Sequence, residues 1–402
     1  MLIKQLSLIS KTNLKLYAFS IVAFFLGTGL EKMTVLSLLV LVLVSLLGVK
    51  KKIIFDQGDK KITLLFLGFF SFIVLYSIIF SEYKYVERNI SFILFPLLCF
   101  YLNKDEISSL KFTEKVCFSF SLGLIMYPIV IILVYIFFQI PTETGSPLEI
   151  SSFYQLKRII FSTNVLNHTF HNIYYATYSI CAIVFLYGML KKCNRKSLIF
   201  SFIFFHFFFI LLSAGRMSYI LLGLLVVVFF MTQLFKKNKK ILYTIPLFVF
   251  LVFFLVNQYP YLQHKFIKSI PEAINTRLLI WSNSYEVIRE NMLGMGFSDF
   301  HRLLNFKNKQ VSPEISDNLN SHNQYLEYFG GLGVFGGLYF LLLLSYIIKT
   351  VIRNKNFTLM LFMLIMLISF VTESWFIRQY GIVFFMFFLC LFWNKKQLKS
   401  NI

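Results

Sequence analysis

The sequence predicts an all-α polytopic membrane protein with about twelve transmembrane helices, and three observations predict it. Apolar runs of about 18 or more residues recur from end to end, which is the signature of membrane-spanning helices. The chain is 58% hydrophobic, only 14% charged, and has a mean hydropathy of +0.73, whereas a soluble domain carries roughly a quarter charged residues. Lysine and arginine gather in short loops on one side, as the positive-inside rule requires. A β-barrel would show short alternating segments instead of continuous apolar runs.

Taken in order, the spans fall near residues 14–30, 33–49, 62–80, 88–102, 116–138, 172–190, 197–213, 218–235, 241–257, 325–348, 357–372 and 379–394. The first two are separated only by Glu31 and Lys32 and read as a tight helical hairpin. The fourth is short and contains Pro96, which predicts a broken or tilted helix. No internal repeat is visible, which weighs against a transporter built from inverted repeats.

Orientation follows from the loops. The basic clusters are Lys50-Lys51-Lys52 with Lys60-Lys61, Lys191-Lys192 with Arg195-Lys196, Lys236-Lys237 with Lys239-Lys240, Arg353 with Lys355, and Lys395-Lys396. With twelve spans and an internal N-terminus, every cluster falls inside. Roughly 25 of the 39 basic residues then lie inside, although the outer loops are much longer. Removing one span would put several clusters on the wrong side. The net charge of +21 is therefore a topology signal, with attraction to anionic lipid headgroups as a second effect; it does not point to nucleic acid. The first apolar stretch lacks a small-residue cleavage site, so no cleaved signal peptide is expected. Cys99, Cys117, Cys181, Cys193 and Cys390 lie in spans or an inner loop, and their placement suggests neither a disulfide nor a metal site.

Two long outer segments remain, at 140–171 and 258–324. A structureless loop as long as the second is unusual, and such loops are often functional. It carries its own helix signal. Pro271 closely follows Ser269, as at a helix start, and Ile274, Leu278, Trp281, Tyr285 and Ile288 follow at helical spacing. The pattern stops at Gly294-Met295-Gly296. A helix lying against the membrane surface or capping the bundle is expected, with Trp281 and Tyr285 at the interface.

The chemistry-bearing residues cluster on the same outer side. Arg216 sits in the short turn Ser213-Ala214-Gly215-Arg216. It reads either as a snorkelling arginine that anchors a helix end or as a planar fork for phosphate. Arg277 stands four residues before Trp281 on the loop helix, either solvated or turned towards a ligand. His322 lies where the loop re-enters the membrane, in Ser321-His322-Asn323-Gln324-Tyr325. It reads as a helix cap or as a base for a hydroxyl proton. His168 and His171 are three residues apart, but no third metal ligand is apparent. Lys157 and Arg158 read as lipid-phosphate contacts or as solvated charges. Lys84 and Arg88 precede the fourth span and can approach the same site. Glu373 and Arg378 flank the last outer turn, which an ion pair between them would order. His206, deep among phenylalanines, reads as a helix–helix contact.

The run Arg277-Leu278-Leu279-Ile280-Trp281, then Gly294-Met295-Gly296-Phe297, then His322-Asn323-Gln324-Tyr325-Leu326, together with the Ser-Ala-Gly-Arg216 turn, resembles the O-antigen ligase and polymerase superfamily. The resemblance covers about 160–345, the family's core region; the earlier spans match only in being hydrophobic. It implies an inverting glycosyltransferase of GT-C type in the bacterial inner membrane, with both termini cytoplasmic and a periplasmic active site. The donor would be an undecaprenyl-diphosphate-linked glycan. The acceptor would be lipid A–core for a ligase, or another lipid-linked repeat unit for a polymerase. A chain-length regulator is a further partner that such proteins admit, and no cofactor or metal is implied. By the same resemblance Arg216 and Arg277 bind the diphosphate, and His322 is the general base. Trp281, Asn323, His168, His171 and Arg88 become substrate contacts.

The physics stands without the resemblance. A leaving diphosphate gains negative charge, and fixed guanidinium groups beside a low-dielectric surface stabilise it. Two arginines can take the role often given to a divalent cation, and no Asp-x-Asp pair occurs in an outer loop. A flippase or exporter would instead place polar residues inside the spans along a pathway. A membrane scaffold would need no arginine and histidine constellation. The ligase reading is preferred to the polymerase because the paired arginines and the His-Asn loop end look most like that branch.

Overall fold

The computed structural model describes residues 2–46, 57–138, 153–162, 170–190, 196–213, 215–235, 270–314 and 319–393. Among these residues every regular element is helical and no strand forms. The helices are α1 (Leu2–Thr28), α2 (Glu31–Leu46), α3 (Gln57–Ile79), α4 (Tyr83–Asn89), α5 (Ser91–Pro96), α6 (Lys104–Ser108), α7 (Leu110–Phe138) and α8 (Phe153–Ser162). They continue with α9 (Asn172–Met189), α10 (Lys196–Ser213), α11 (Arg216–Phe235), α12 (Ile270–Glu290), α13 (Phe297–Val311), α14 (Gln324–Asn354), α15 (Phe357–Thr372) and α16 (Gln379–Trp393).

A helix lies at every expected span position except 241–257, which falls outside the described residues, as do the clusters Lys50–Lys52, Lys191–Arg195, Lys236–Lys240 and Lys395-Lys396. Among the described residues six helices are long and apolar enough to cross a membrane: Gln57–Ile79, Tyr83–Leu102, Leu110–Phe137, Asn172–Met189, Lys196–Ser213 and Gln324–Asn354. Shorter apolar helices lie at Asn13–Thr28, Arg216–Phe229, Phe357–Thr372 and Gln379–Trp393. These helices make the chain a membrane protein. The fourth span is broken, as Pro96 predicts: α4 and α5 are followed by a π-helical stretch, Leu97–Leu102. Proline removes one helical N–H, and a widened turn absorbs the mismatch. Asn103 closes that stretch by donating to the Leu98 carbonyl at 2.9 Å and to Ser45 Oγ at 2.8 Å.

The chain divides into two compact units, one of residues 1–123, 184–193 and 277–402, the other of residues 124–183 and 194–276. In the first unit α16 is the central helix, with every residue from Tyr380 to Trp393 buried. Lipid is as apolar as the side chains, so packing and ring contacts hold such a helix, not the hydrophobic effect. The Phe388 ring lies 4.8 Å from Phe120 and 4.6 Å from Phe185, within the range of favourable aromatic pairs. Turns expected on one side gather at one end: Glu82 meets Phe297 and Ser298, and Arg88 meets Ile377. Those expected on the other side gather too, with Lys15 against Glu106 at 2.8 Å and Lys104 against Asp59 at 2.5 Å. In the second unit Tyr127 Oη donates to the Ile160 carbonyl at 3.0 Å and accepts from the Phe170 N–H at 3.1 Å, tying α7 to α8 and to the entry of α9.

The loop helix starts and stops where the sequence predicts, with Pro271 in the first turn of α12. Its buried face differs from the expected one. Ile274, Leu278 and Tyr285 are half-exposed or more, while Ile280, Ser284 and Val287 are buried. The reason is a second loop helix, α13, which the expected pattern missed. Ile280 and Val287 pack against its Phe300 and Leu304, with Ile288 at the edge of the same cluster. Asn283 donates to Asn308 Oδ1 at 2.8 Å across the interface. Helix α12 thus has two apolar stripes, and the expected one is left for another surface.

The turn between α12 and α13 is joined to α14 backbone to backbone. Helix α14 kinks at Gly333, whose φ is +68°, and the freed N–H of Val334 donates to the Met292 carbonyl at 2.8 Å. Gly296 N–H donates to the Gly331 carbonyl at 3.0 Å, and Tyr76 Oη of α3 donates to the Leu293 carbonyl at 2.5 Å. A Cβ on Gly333 would sit 2.4 Å from the Leu293 carbonyl group, and one on Gly294 would sit 2.4 Å from Gly333 N. Gly333→Ala should therefore destabilise the protein by about 1–3 kcal/mol through left-handed strain and the clash. A clear drop in unfolding temperature in lipid nanodiscs is the expected result; an unchanged value would mean that the kink tolerates a side chain.

Candidate active site

The first unit carries the site, at the end where α13, the start of α14 and the α15–α16 turn meet. His322 has a positive φ of +45°, a region that costs a non-glycine residue about 1–3 kcal/mol and persists only where neighbours impose it. Its N–H donates to Asn320 Oδ1 at 2.8 Å. The helix cap is Asn323, not His322: Asn323 Oδ1 accepts from Tyr325 N–H at 2.9 Å and Leu326 N–H at 3.1 Å. His322 is thereby left free of capping duty and turned towards Glu373.

Glu373 joins the two candidates. Its Oε2 meets His322 Nδ1 at 3.2 Å, and its Oε1 accepts from Arg277 at 3.2 Å. The Glu373 side chain is 8% exposed, while His322 keeps 27% and Arg277 30%. A buried carboxylate thus holds a half-buried guanidinium and a half-buried imidazole at one surface. The last outer turn, where a Glu373–Arg378 pair is expected, is also ordered by other contacts of both residues. Glu373 reaches to α12 and to the 319–323 turn, and Arg378 donates to Tyr380 Oη at 2.8 Å.

Arg88 donates to the Ile377 carbonyl at 3.3 Å and lies 5.5 Å from the Tyr85 ring centroid, so it braces the turn that carries Glu373. Trp281, one helical turn beyond Arg277, has a buried indole N–H with no hydrogen-bond partner among the described residues. Arg216 opens α11 in the second unit, and Asn172 donates to the Ser213 carbonyl at 3.1 Å, which fixes the turn before it. His171 precedes Asn172 and shares that end of the unit; His168 lies outside the described residues. His206 is wholly buried on α10, as a packing residue would be. Among the described residues no three His, Cys, Asp or Glu side chains converge to hold a metal ion. A surface concavity of about 370 Å³ lies on Met295, Asp299, Arg302, Leu303 and Phe306, and none of Arg277, His322 or Glu373 lines it.

Three titratable residues behind the site, Glu327, His301 and Glu82, were missed. Glu327, fully buried in the first turn of α14, pairs with His301 Nε2 of α13. It also accepts from Ser321 Oγ at 2.8 Å and Ser374 Oγ at 3.3 Å. A carboxylate inside a span was a readable signal, since such residues are rare and pair inward. Burial disfavours a charged His301, but the Glu327 carboxylate and its hydrogen bond outweigh this and raise its pKa; Glu82 adds to the rise and Lys84 opposes it. Glu82 also accepts from Phe297 N–H at 2.8 Å and Ser298 N–H at 2.5 Å, which places an anion on the N-terminus of α13.

Arrangement and sequence together define a helical membrane protein with a cationic, histidine-bearing end. Residues 200–341 match the family model described as O-antigen ligase, and the match supports the O-antigen ligase and polymerase superfamily for this chain. It spans Arg216, Arg277, Trp281, His301, His322, Asn323 and Glu327, with Glu373 beyond it. No curated protein matches the chain.

A raised His301 pKa has a signed consequence. The unfolded histidine titrates near its ordinary 6.5, so the pair's stabilisation is complete below that pH. It falls away as the pH rises through the higher folded value. The unfolding temperature should decline across that window in the native protein, and His301→Gln should remove this component of the slope. Equal slopes in both would show that His301 does not carry a proton there.

Proposed function

We propose that the protein is an O-antigen ligase-like glycosyltransferase. It moves a glycan from undecaprenyl diphosphate to a sugar hydroxyl of lipid A–core during lipopolysaccharide biosynthesis. The scaffold is a GT-C-type bundle of about twelve spans in the bacterial inner membrane, with the site on the periplasmic side. The observation that carries the reading is the Glu373 bridge between Arg277 and His322, in a chain whose 200–341 region matches the O-antigen ligase model.

The chemistry runs as follows. With its Nδ1–H donated to Glu373, His322 presents Nε2 as a base. It takes the proton of the acceptor hydroxyl, and the oxygen attacks the anomeric carbon of the donor. The bond from that carbon to the diphosphate oxygen breaks, and undecaprenyl diphosphate leaves with the electron pair. Attack opposite the leaving group inverts the anomeric centre. One nitrogen of Arg277 is engaged by Glu373, and the rest of its five-donor fork faces the diphosphate. The family resemblance makes Arg216 a second candidate cation for the diphosphate, in a metal-independent transfer. Trp281 borders the substrates, and the exposed stripe Ile274, Leu278 and Tyr285 rests on the membrane surface.

The deciding experiment is a lipopolysaccharide gel from a strain lacking the gene, with and without the wild-type copy. Bare core with polymer held on the lipid carrier supports the ligase. Core bearing a single repeat unit would make the protein a polymerase that joins lipid-linked repeats. Unaltered lipopolysaccharide would remove both readings. His322→Ala and Arg277→Ala should each reduce transfer by at least ~10²-fold while the protein still inserts. Full activity in both would sink the site assignment.

A further inference from the structure

Glu327 stands behind the site, and its contacts converge on the two turns that form it. Its Oε2 accepts from Ser321 Oγ at 2.8 Å, one residue before His322. The same oxygen accepts from Ser374 Oγ at 3.3 Å, one residue after Glu373. Ser374 Oγ in turn accepts from the Asn323 N–H at 3.2 Å. One carboxylate oxygen thus clamps the 321–323 turn against the 373–374 turn, and between those turns His322 Nδ1 meets Glu373 Oε2. The other oxygen, Oε1, pairs with His301 of α13. Gln324 adds a parallel tie, accepting from the Phe376 N–H at 2.6 Å. This clamp acts with the Asn320 contact and the Asn323 cap to hold the His322 turn, and a base misplaced by about 1 Å can lose ~10²-fold in rate.

We propose that Glu327 is a positioning residue that fixes His322 against Glu373, and that His301 holds Glu327 in place, so that α13 is part of the machinery and not only a cover. The inference rests on the glycosyltransferase reading for its kinetic consequence, but its geometric content does not. His301 faces Glu327 on α14, Glu82 on the turn before α4, and Lys84 on α4, with Tyr85 beside Glu327. Glu327 is its direct partner in this set. A plain alternative is a staple that keeps the loop on the bundle, and the test must separate the two.

The full-length protein in lipid nanodiscs is compared with Glu327→Gln, His301→Gln and Ser374→Ala. Three quantities are read: the rate of diethyl pyrocarbonate modification at His322 by mass spectrometry, kcat and KM with a lipid-linked glycan and lipid A–core, and the unfolding temperature. Positioning predicts faster His322 modification in Glu327→Gln, and kcat lowered by ~10-fold or more with KM nearly unchanged. His301→Gln and Ser374→Ala should shift the same quantities by less. A lowered unfolding temperature with wild-type kcat and His322 reactivity would make the pair a staple and overturn the proposal. If Glu327→Gln does not fold, the two milder variants decide in the same way. If the wild type transfers no glycan, the functional reading fails, while the His322 modification rates still decide the geometry.

Discussion

The hydrogen bond from Val334 N–H to the Met292 carbonyl is the constraint on which the site end is built. Inside a bilayer no water can satisfy a freed backbone group, so a kinked span must find its partner in protein. Helix α14 kinks at Gly333 and takes that partner from the turn between α12 and α13. The loop is therefore stitched into a span, with Gly296 and Tyr76 adding further bonds. Once that turn is fixed, α12 runs back with Arg277, and α13 runs forward with His301. The positions of both follow from the kink.

Electrostatics then explains how three buried acids stand together at this end. Each is spoken for. Glu82 caps α13, Glu327 pairs with His301, and Glu373 holds Arg277 and His322. A carboxylate with charge-assisted partners is tolerable out of water, whereas one left alone is not. The acids orient the cations without leaving a naked negative charge at the surface.

Much of this was legible in the sequence, and what was not has a physical cause. Continuous apolar runs give the spans, because bilayer thickness fixes helix length. Pro96 marks the broken fourth span, and Gly294 and Gly296 mark the end of α12, because each leaves a local backbone signature. His322 and Arg277 were visible as basic side chains in the second outer segment. The link between them was not, since Glu373 is 96 residues from Arg277 and 51 from His322. Helix α13 was missed because its apolar residues Phe300 and Leu304 are interleaved with charges. Its partner stripe on α12, Ile280 and Val287, competes with the more regular one at Ile274, Leu278 and Tyr285.

The choice of a shared carboxylate has a further logic. An arginine alone at a low-dielectric surface would sample many rotamers, and its entropy would oppose any fixed geometry for phosphate. Glu373 restricts that freedom by holding one nitrogen of Arg277 at 3.2 Å. The same carboxylate meets Nδ1 of His322 and so fixes the orientation of its ring. One acidic residue therefore holds two groups of different chemistry, a guanidinium and an imidazole. Preorganised groups need no reorganisation when charge develops, which is where fixed dipoles and ions are most effective. That places the selective requirement on the relative position of two turns, 321–323 and 373–374, more than on any single side chain at the surface.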